Sequence, residues 1–98
     1  MNQSKAYFDS QKLQFSCELM RALAHPLRLR MISLIDSNDS LCVHDIFSAL
    51  QLEQSVTSQH LRILRNVGLV QTERRGKFIY YMLNYPRLEA THSVKRLA

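Results

Sequence analysis

At 98 residues the chain is the length of one small domain, and a domain of that size buries only roughly 60–65% of the surface its unfolded form exposes, so dimerisation is a natural way to extend the core. Hydrophobic residues make up 46% and charged residues 21%, a balance that excludes a disordered or fibrous chain. The longest apolar run, Phe78–Leu83, excludes a membrane span, the start Met1-Asn2-Gln3-Ser4-Lys5 has no apolar stretch behind it to make a secretory signal, and two cysteines are too few for a disulfide framework; the cytoplasm is the expected location.

No repeat, low-complexity tract or Pro/Gly-rich linker divides the chain, which reads as a single domain over 1–98 with residues 1–8 flexible. From about Asp9 to Leu23, Leu13, Phe15, Leu19, Met20 and Leu23 recur at helical spacing, which predicts a first helix. His25-Pro26 interrupts it, because proline disfavours helix at the residue before it yet fits the first turn of a new one. The second helix carries Leu27, Met31, Leu34 and Ile35 on one side, and the polar cluster Asp36–Ser40 is expected to close it. A short third helix runs from about Val43 or His44 to Leu50 and buries Ile46, Phe47 and Leu50.

After the link Gln51–Gln54, Ser55 is expected to cap a fourth helix reaching Val67. On that helix Val56, His60, Ile63, Leu64 and Val67 share one side, while Ser55, Ser58, Arg62 and Arg65 share the other. Gly68 stands where a left-handed helix stop is expected. Leu69–Thr72 and Phe78–Leu83 then read as strands joined by the Gly-containing connection Glu73–Lys77. Asn84-Tyr85-Pro86 ends the second strand, and Arg87–Leu97 reads as a last helix carrying Leu88, Thr91, Val94 and Leu97. The fold class is thus mostly α with a small β wing, in the order α-α-α-α-β-β-α. A short helix, a tight link and a longer amphipathic helix form a helix-turn-helix, and the basic-tipped hairpin directly behind is a wing.

The distribution of charge agrees with that assignment. The chain carries a net charge of +5, yet residues 1–53 hold five basic and six acidic side chains, whereas residues 54–81 hold Arg62, Arg65, Arg74, Arg75 and Lys77 against Glu73 alone. A cationic helix and hairpin suit double-stranded DNA as the partner. Gln54, Ser55, Thr57, Ser58 and Gln59 are compact hydrogen-bonding side chains at the start of the fourth helix, able to approach base edges, and glutamine can pair bidentately with adenine. That end of the helix also carries the positive pole of its dipole. Arg62 and Arg65 would reach the backbone or a guanine, and Arg74, Arg75 and Lys77 would bring charge to a minor groove. The alternatives are a solvated helix face and a hairpin made soluble by charge. Tyr80 and Tyr81, mid-strand on alternating faces, read as packing residues.

Three segments carry a resemblance. Ala22-Leu23-Ala24-His25-Pro26-Leu27-Arg28-Leu29-Arg30, then Ser58-Gln59-His60-Leu61-Arg62-Ile63-Leu64-Arg65 running into Gly68-Leu69-Val70, then Arg74-Arg75-Gly76-Lys77-Phe78-Ile79-Tyr80-Tyr81, resemble the ArsR/SmtB family of winged-helix repressors over about residues 13–85. The resemblance implies a homodimer joined through the first and last helices, with Phe15, Leu19, Leu88, Thr91 and Val94 at the interface, binding an inverted-repeat operator as a transcriptional repressor. It also implies that Ser58, Gln59 and His60 lie near DNA, although the helical phase of His60 places it at the edge of the core face.

Many members of that family release DNA when a metal or metalloid binds. Cys42-Val43-His44 stands where such sensors carry a Cys-Val-Cys, so Cys42 and His44 are candidate ligands for zinc, cadmium or arsenic, with Cys17 of a second protomer as a third. Two ligands do not fill a tetrahedral thiol-rich site. At the last helix, Glu89 and His92 supply only a fragment of the family's second site. A thiol switch using Cys17 and Cys42 is a further possibility. No Gly-rich phosphate loop, nucleophile motif or suggestive carboxylate pair is present, so an enzyme is not expected. The other class to weigh is a winged-helix module that binds protein instead of DNA, since fold does not fix function.

Overall fold

The computed structural model describes residues 17–89. What was expected of residues 1–8, of Phe15, Thr91 and Val94, and of the last helix beyond residue 89 lies outside them. A first helix, α1, is described over residues 17–23 and buries Leu19 and Ala22. It gives way to α2 (Pro26–Asn38) through a turn in which the Ala24 N–H donates to the Arg21 carbonyl. His25 is the N-cap of α2, its Nδ1 accepting from the Leu27 N–H at 3.2 Å, and Pro26 occupies the first turn, where a missing N–H costs nothing.

The polar cluster expected to end this helix at Asp36 instead prolongs it. Ser37 Oγ and Asn38 Nδ2 donate to the carbonyls of Ser33 and Leu34, supporting the last turn, and the chain turns only at Asp39, with φ 63°. Strand β1 (Leu41–Cys42) follows, then α3 (Val43–Leu50) and α4 (Gln54–Asn66). Between them Gln51 takes the left-handed conformation with φ 55°, so that the Gln51 and Leu52 N–H groups donate to Ser48 and Phe47. Gly68, with φ 80°, stops α4 in the same way: its N–H donates to Arg65, the Leu69 N–H to Leu64, and Leu69 and Leu64 are both buried.

The hairpin is longer and its turn tighter than the composition suggests. Strand β2 (Val70–Arg75) pairs antiparallel with β3 (Phe78–Leu83), from Val70 opposite Leu83 to Arg75 opposite Phe78, which leaves only Gly76-Lys77 as the connection. Gly76 has φ 64° and Lys77 a negative φ, the geometry of a two-residue turn that matches strand twist. β1, which has no counterpart among the expected elements, pairs with the other edge of β3 through Leu41 opposite Tyr81 and Cys42 opposite Tyr80, giving the sheet order β1-β3-β2. Two residues have too little pattern to announce a strand; they become one because β3 offers an open edge.

A final helix, α5, is described over residues 85–89, two residues earlier than expected, because Asn84 caps it through bonds from the Arg87 and Leu88 N–H groups. One core gathers Leu19, Ala22, Met31, Ile35, Ile46, Leu61, Leu64, Leu69, Val70 and Leu83. Among the described residues no helix is long and apolar enough to cross a membrane.

Candidate nucleic-acid interface

The position of α4 is set by its inner face. Thr57, Leu61 and Leu64 are fully buried, and they fall within an arc of about 60° at 100° per residue. Each buried leucine contributes roughly 1.5–3 kcal/mol, so the two fix the helix's rotation about its axis. The inward face is therefore turned relative to the expected set: Leu64 belongs to it, Val56, His60 and Val67 border it half-buried, and Ile63 is 39% exposed. Ser55 is not the cap either. The helix starts one residue earlier, with Glu53 in the capping position and the Thr57 N–H donating to the Glu53 carbonyl.

Of the predicted DNA contacts on α4, Gln54, Ser55, Ser58, Gln59, Arg62 and Arg65 are exposed. Thr57 is a correction: with 0% exposure it belongs to the core, its methyl among leucines and its hydroxyl without a partner. His60 is a border residue. Its ring lies 4.6 Å from that of His25, and its pKa is lowered first by burial, then by the charges of His25 and Arg28. It holds α4 against the start of α2.

On the wing, paired residues alternate between two faces. Val70 and Leu83 are buried, and the same face continues outward through Thr72 and Tyr81 to Arg74 and Ile79. The opposite face carries Glu73, Arg75, Phe78 and Tyr80. Arg75 is engaged within the subunit: it pairs with Glu73 at 3.2 Å, donates to Ser40 Oγ at 3.3 Å and covers the Tyr80 ring at 4.7 Å. Arg74 Nε donates to the Gly76 carbonyl, which leans the side chain along the turn. Arg62, Arg65 and Lys77 make no ion pair among the described residues and stand exposed.

Two clefts open between α4 and the wing. One, of about 330 Å³, is bordered by Cys42, His44, Ser58, Lys77, Ile79 and Tyr81; the other, of about 370 Å³, by Ser58, Arg62, Arg65, Asn66 and Tyr81. Sequence reading missed Tyr81, which borders both. Its signal was available only through register, since alternation alone cannot say where a sheet face leaves the core.

The metal candidates do not assemble. Cys42 is buried at the start of α3 and its thiol donates to Asp45 Oδ2 at 3.1 Å, while His44 is exposed with its ring edge-on to Phe47 at 5.0 Å. Among the described residues no three His, Cys, Asp or Glu side chains gather as a metal site, and Cys17 is exposed on α1. The dimer candidates divide. Leu19, 2% exposed, packs in its own subunit's core and is not free for a partner, whereas Leu88 is half-buried at the core's margin.

An exposed hydrogen-bonding helix face beside an arginine-rich hairpin is the outline of a winged helix-turn-helix, and comparison with known proteins agrees. Residues 25–72 match the family described as bacterial regulatory protein, arsR family. The transcriptional repressor PagR of Bacillus anthracis is 36% identical over 77 residues, covering 79% of this chain and 77% of PagR. The chain belongs to the ArsR family. The HTH-type transcriptional repressor SmtB of Mycobacterium tuberculosis is 41% identical over 66 residues, 67% of this chain, and the chain spans about half of SmtB's length, 48%. The crystal structure of PagR superposes with a TM-score of 0.73 at 32% identity, covering 91% of this chain and 99% of that one. HlyU from Vibrio vulnificus superposes at 0.70 with 34% identity, covering 99% and 95%.

Proposed function

We propose that this ArsR-family protein is a sequence-specific DNA-binding transcriptional repressor, acting as a homodimer on an inverted-repeat operator. The observation that carries it is the side of α4 bearing Ser55, Ser58, Gln59 and Arg62: exposed, free of carboxylates, and flanked by Arg74 and Lys77 of the wing. In that arrangement α4 enters a major groove with Ser58 and Gln59 toward base edges, and Arg62 and Arg65 toward phosphate or guanine. The hairpin tip, led by Gly76 and Lys77, enters the adjacent minor groove.

Two-fold pairing doubles these contacts and matches the symmetry of an inverted repeat. Release by zinc, cadmium or arsenic is not part of the assignment, because Cys42 and His44 bring too few ligands to grip a tetrahedral ion. Replacing Ser58, Gln59 and Arg62 together with alanine tests the function. Binding to a duplex selected from a random pool is expected to be lost while the dimer, followed by light scattering, persists. Undiminished binding would move the protein to the class of protein-docking modules.

A further inference from the structure

The cleft between α4 and the wing contains a tyrosine hydroxyl that nothing in the subunit uses. We infer that the phenol of Tyr81 is a phosphate-binding group, seating the sugar-phosphate strand that crosses between the recognition helix and the wing; the inference rests on the DNA-binding assignment above.

The first support is the shape of the duplex. A helix fits a major groove about 12 Å wide and a hairpin tip a minor groove about 6 Å wide, and neighbouring grooves are separated by one sugar-phosphate strand. A protein that places α4 in one and its wing in the other must take that strand across the cleft between them. The second support is the cleft's lining. Ser58, Arg62, Arg65, Asn66 and Tyr81 surround about 370 Å³ with cations and neutral hydrogen-bonding groups, and no carboxylate borders it. Arg62 and Arg65 make no ion pair among the described residues, so their charge faces outward uncompensated.

The third support is Tyr81 itself. It stands opposite Thr72 on β2 and Leu41 on β1, on the face that carries the buried Val70 and Leu83, and its body is half-buried against the core. A tyrosine packed this way normally gives its hydroxyl a partner. Tyr85 does so, donating to Asp36 Oδ1 at 2.6 Å, and Tyr80 lies beneath the Arg75 guanidinium. Tyr81 has no hydrogen-bond partner among the described residues, and it borders both clefts together with Ser58. A ring already immobilised by packing loses little freedom when its hydroxyl binds an anion, which suits a group that positions the strand instead of reading it.

The test is fluorescence anisotropy with the full chain on two duplexes of equal length, one carrying an operator selected from a random pool and one unrelated. Tyr81→Phe removes only the hydroxyl. It is expected to weaken both duplexes by the same factor, about five- to tenfold, the range for a lost hydrogen bond to a charged group. Its salt slope should stay at the wild-type value because the phenol is neutral, whereas Arg65→Gln should reduce the slope by about one per protomer. Duplexes with one methylphosphonate substitution add a second reading: at one position the wild-type protein loses affinity and Tyr81→Phe loses nothing more. Tyr81→Phe binding both duplexes like the wild-type protein, with its thermal midpoint unchanged, overturns the phosphate seat and leaves the repressor standing. Loss confined to the operator assigns Tyr81 to base reading and overturns it as well. A wild-type chain that binds neither duplex in dilute salt removes the DNA-binding function and this inference together.

Discussion

A threonine near the start of a recognition helix can serve the groove or the core, and at Thr57 the core takes it. The next residue, Ser58, lies about 100° further round the helix, enough to separate full burial from full access. His60 shows the same competition at the border of the two faces. Burial, with His25 and Arg28 nearby, lowers its pKa from 6.5, so the unfolded chain holds the proton more tightly than the folded one. His60's contribution to stability is therefore complete above about pH 6.5 and is lost as pH falls from there toward its lower folded value. Urea midpoints of the wild-type protein should drop between about pH 7.5 and about pH 5.5, and His60→Gln should drop less over the same window. Equal drops in both proteins would place the pH sensitivity elsewhere.

At the level of elements, the helix ends fix where the DNA-facing parts begin. Gly68 stops α4 so that Leu69 folds back onto Leu64 and β2 starts in register with β3. A Cβ at Gly68 would sit 3.2 Å from Arg87 Nε, the flexible end of a side chain that can move aside, so the lasting penalty is the positive φ of 80°. Gly68→Ala is expected to cost about 1–2 kcal/mol in urea unfolding, and Gly68→Asn less, since asparagine tolerates the left-handed region. Equal stability of the alanine variant and the wild-type protein would mean that the turn relaxes. Gly76 differs, because a Cβ there meets nothing within 4 Å. The second turn, at Gln51, uses the same left-handed stop without a glycine, and that is why the composition of Gln51–Gln54 gave no warning of it.

For the whole molecule, the relevant quantity is the cationic surface presented twice in a symmetric pair. Arg62, Arg65, Arg74 and Lys77 from each protomer neutralise about eight phosphates, which gives a salt slope of about −7 and a loss of about 10⁴-fold in affinity between about 50 and 200 mM salt. Arg75, held by Glu73, Ser40 and Tyr80, is left out of that sum. A slope half as steep, measured by anisotropy, would point to one protomer binding alone. Tyr85 on α5 joins the ends of the described fold, its hydroxyl bonded to Asp36 on α2, and that bond raises its pKa above 10.

Periodicity, one histidine-proline pair, two glycines and the clustering of arginines determined the element order, the helix-turn-helix and the wing, because each of these is a local property of the chain. Tertiary packing decided the rest. Which of two adjacent side chains on α4 faces the groove depends on how the helix is rotated by Leu61 and Leu64 against α3 and the sheet, and no local pattern records that rotation. The pairing of Leu41-Cys42 with β3, the engagement of Arg75 and the free hydroxyl of Tyr81 likewise arise from contacts between residues dozens of positions apart, which exist only once the chain has closed upon itself.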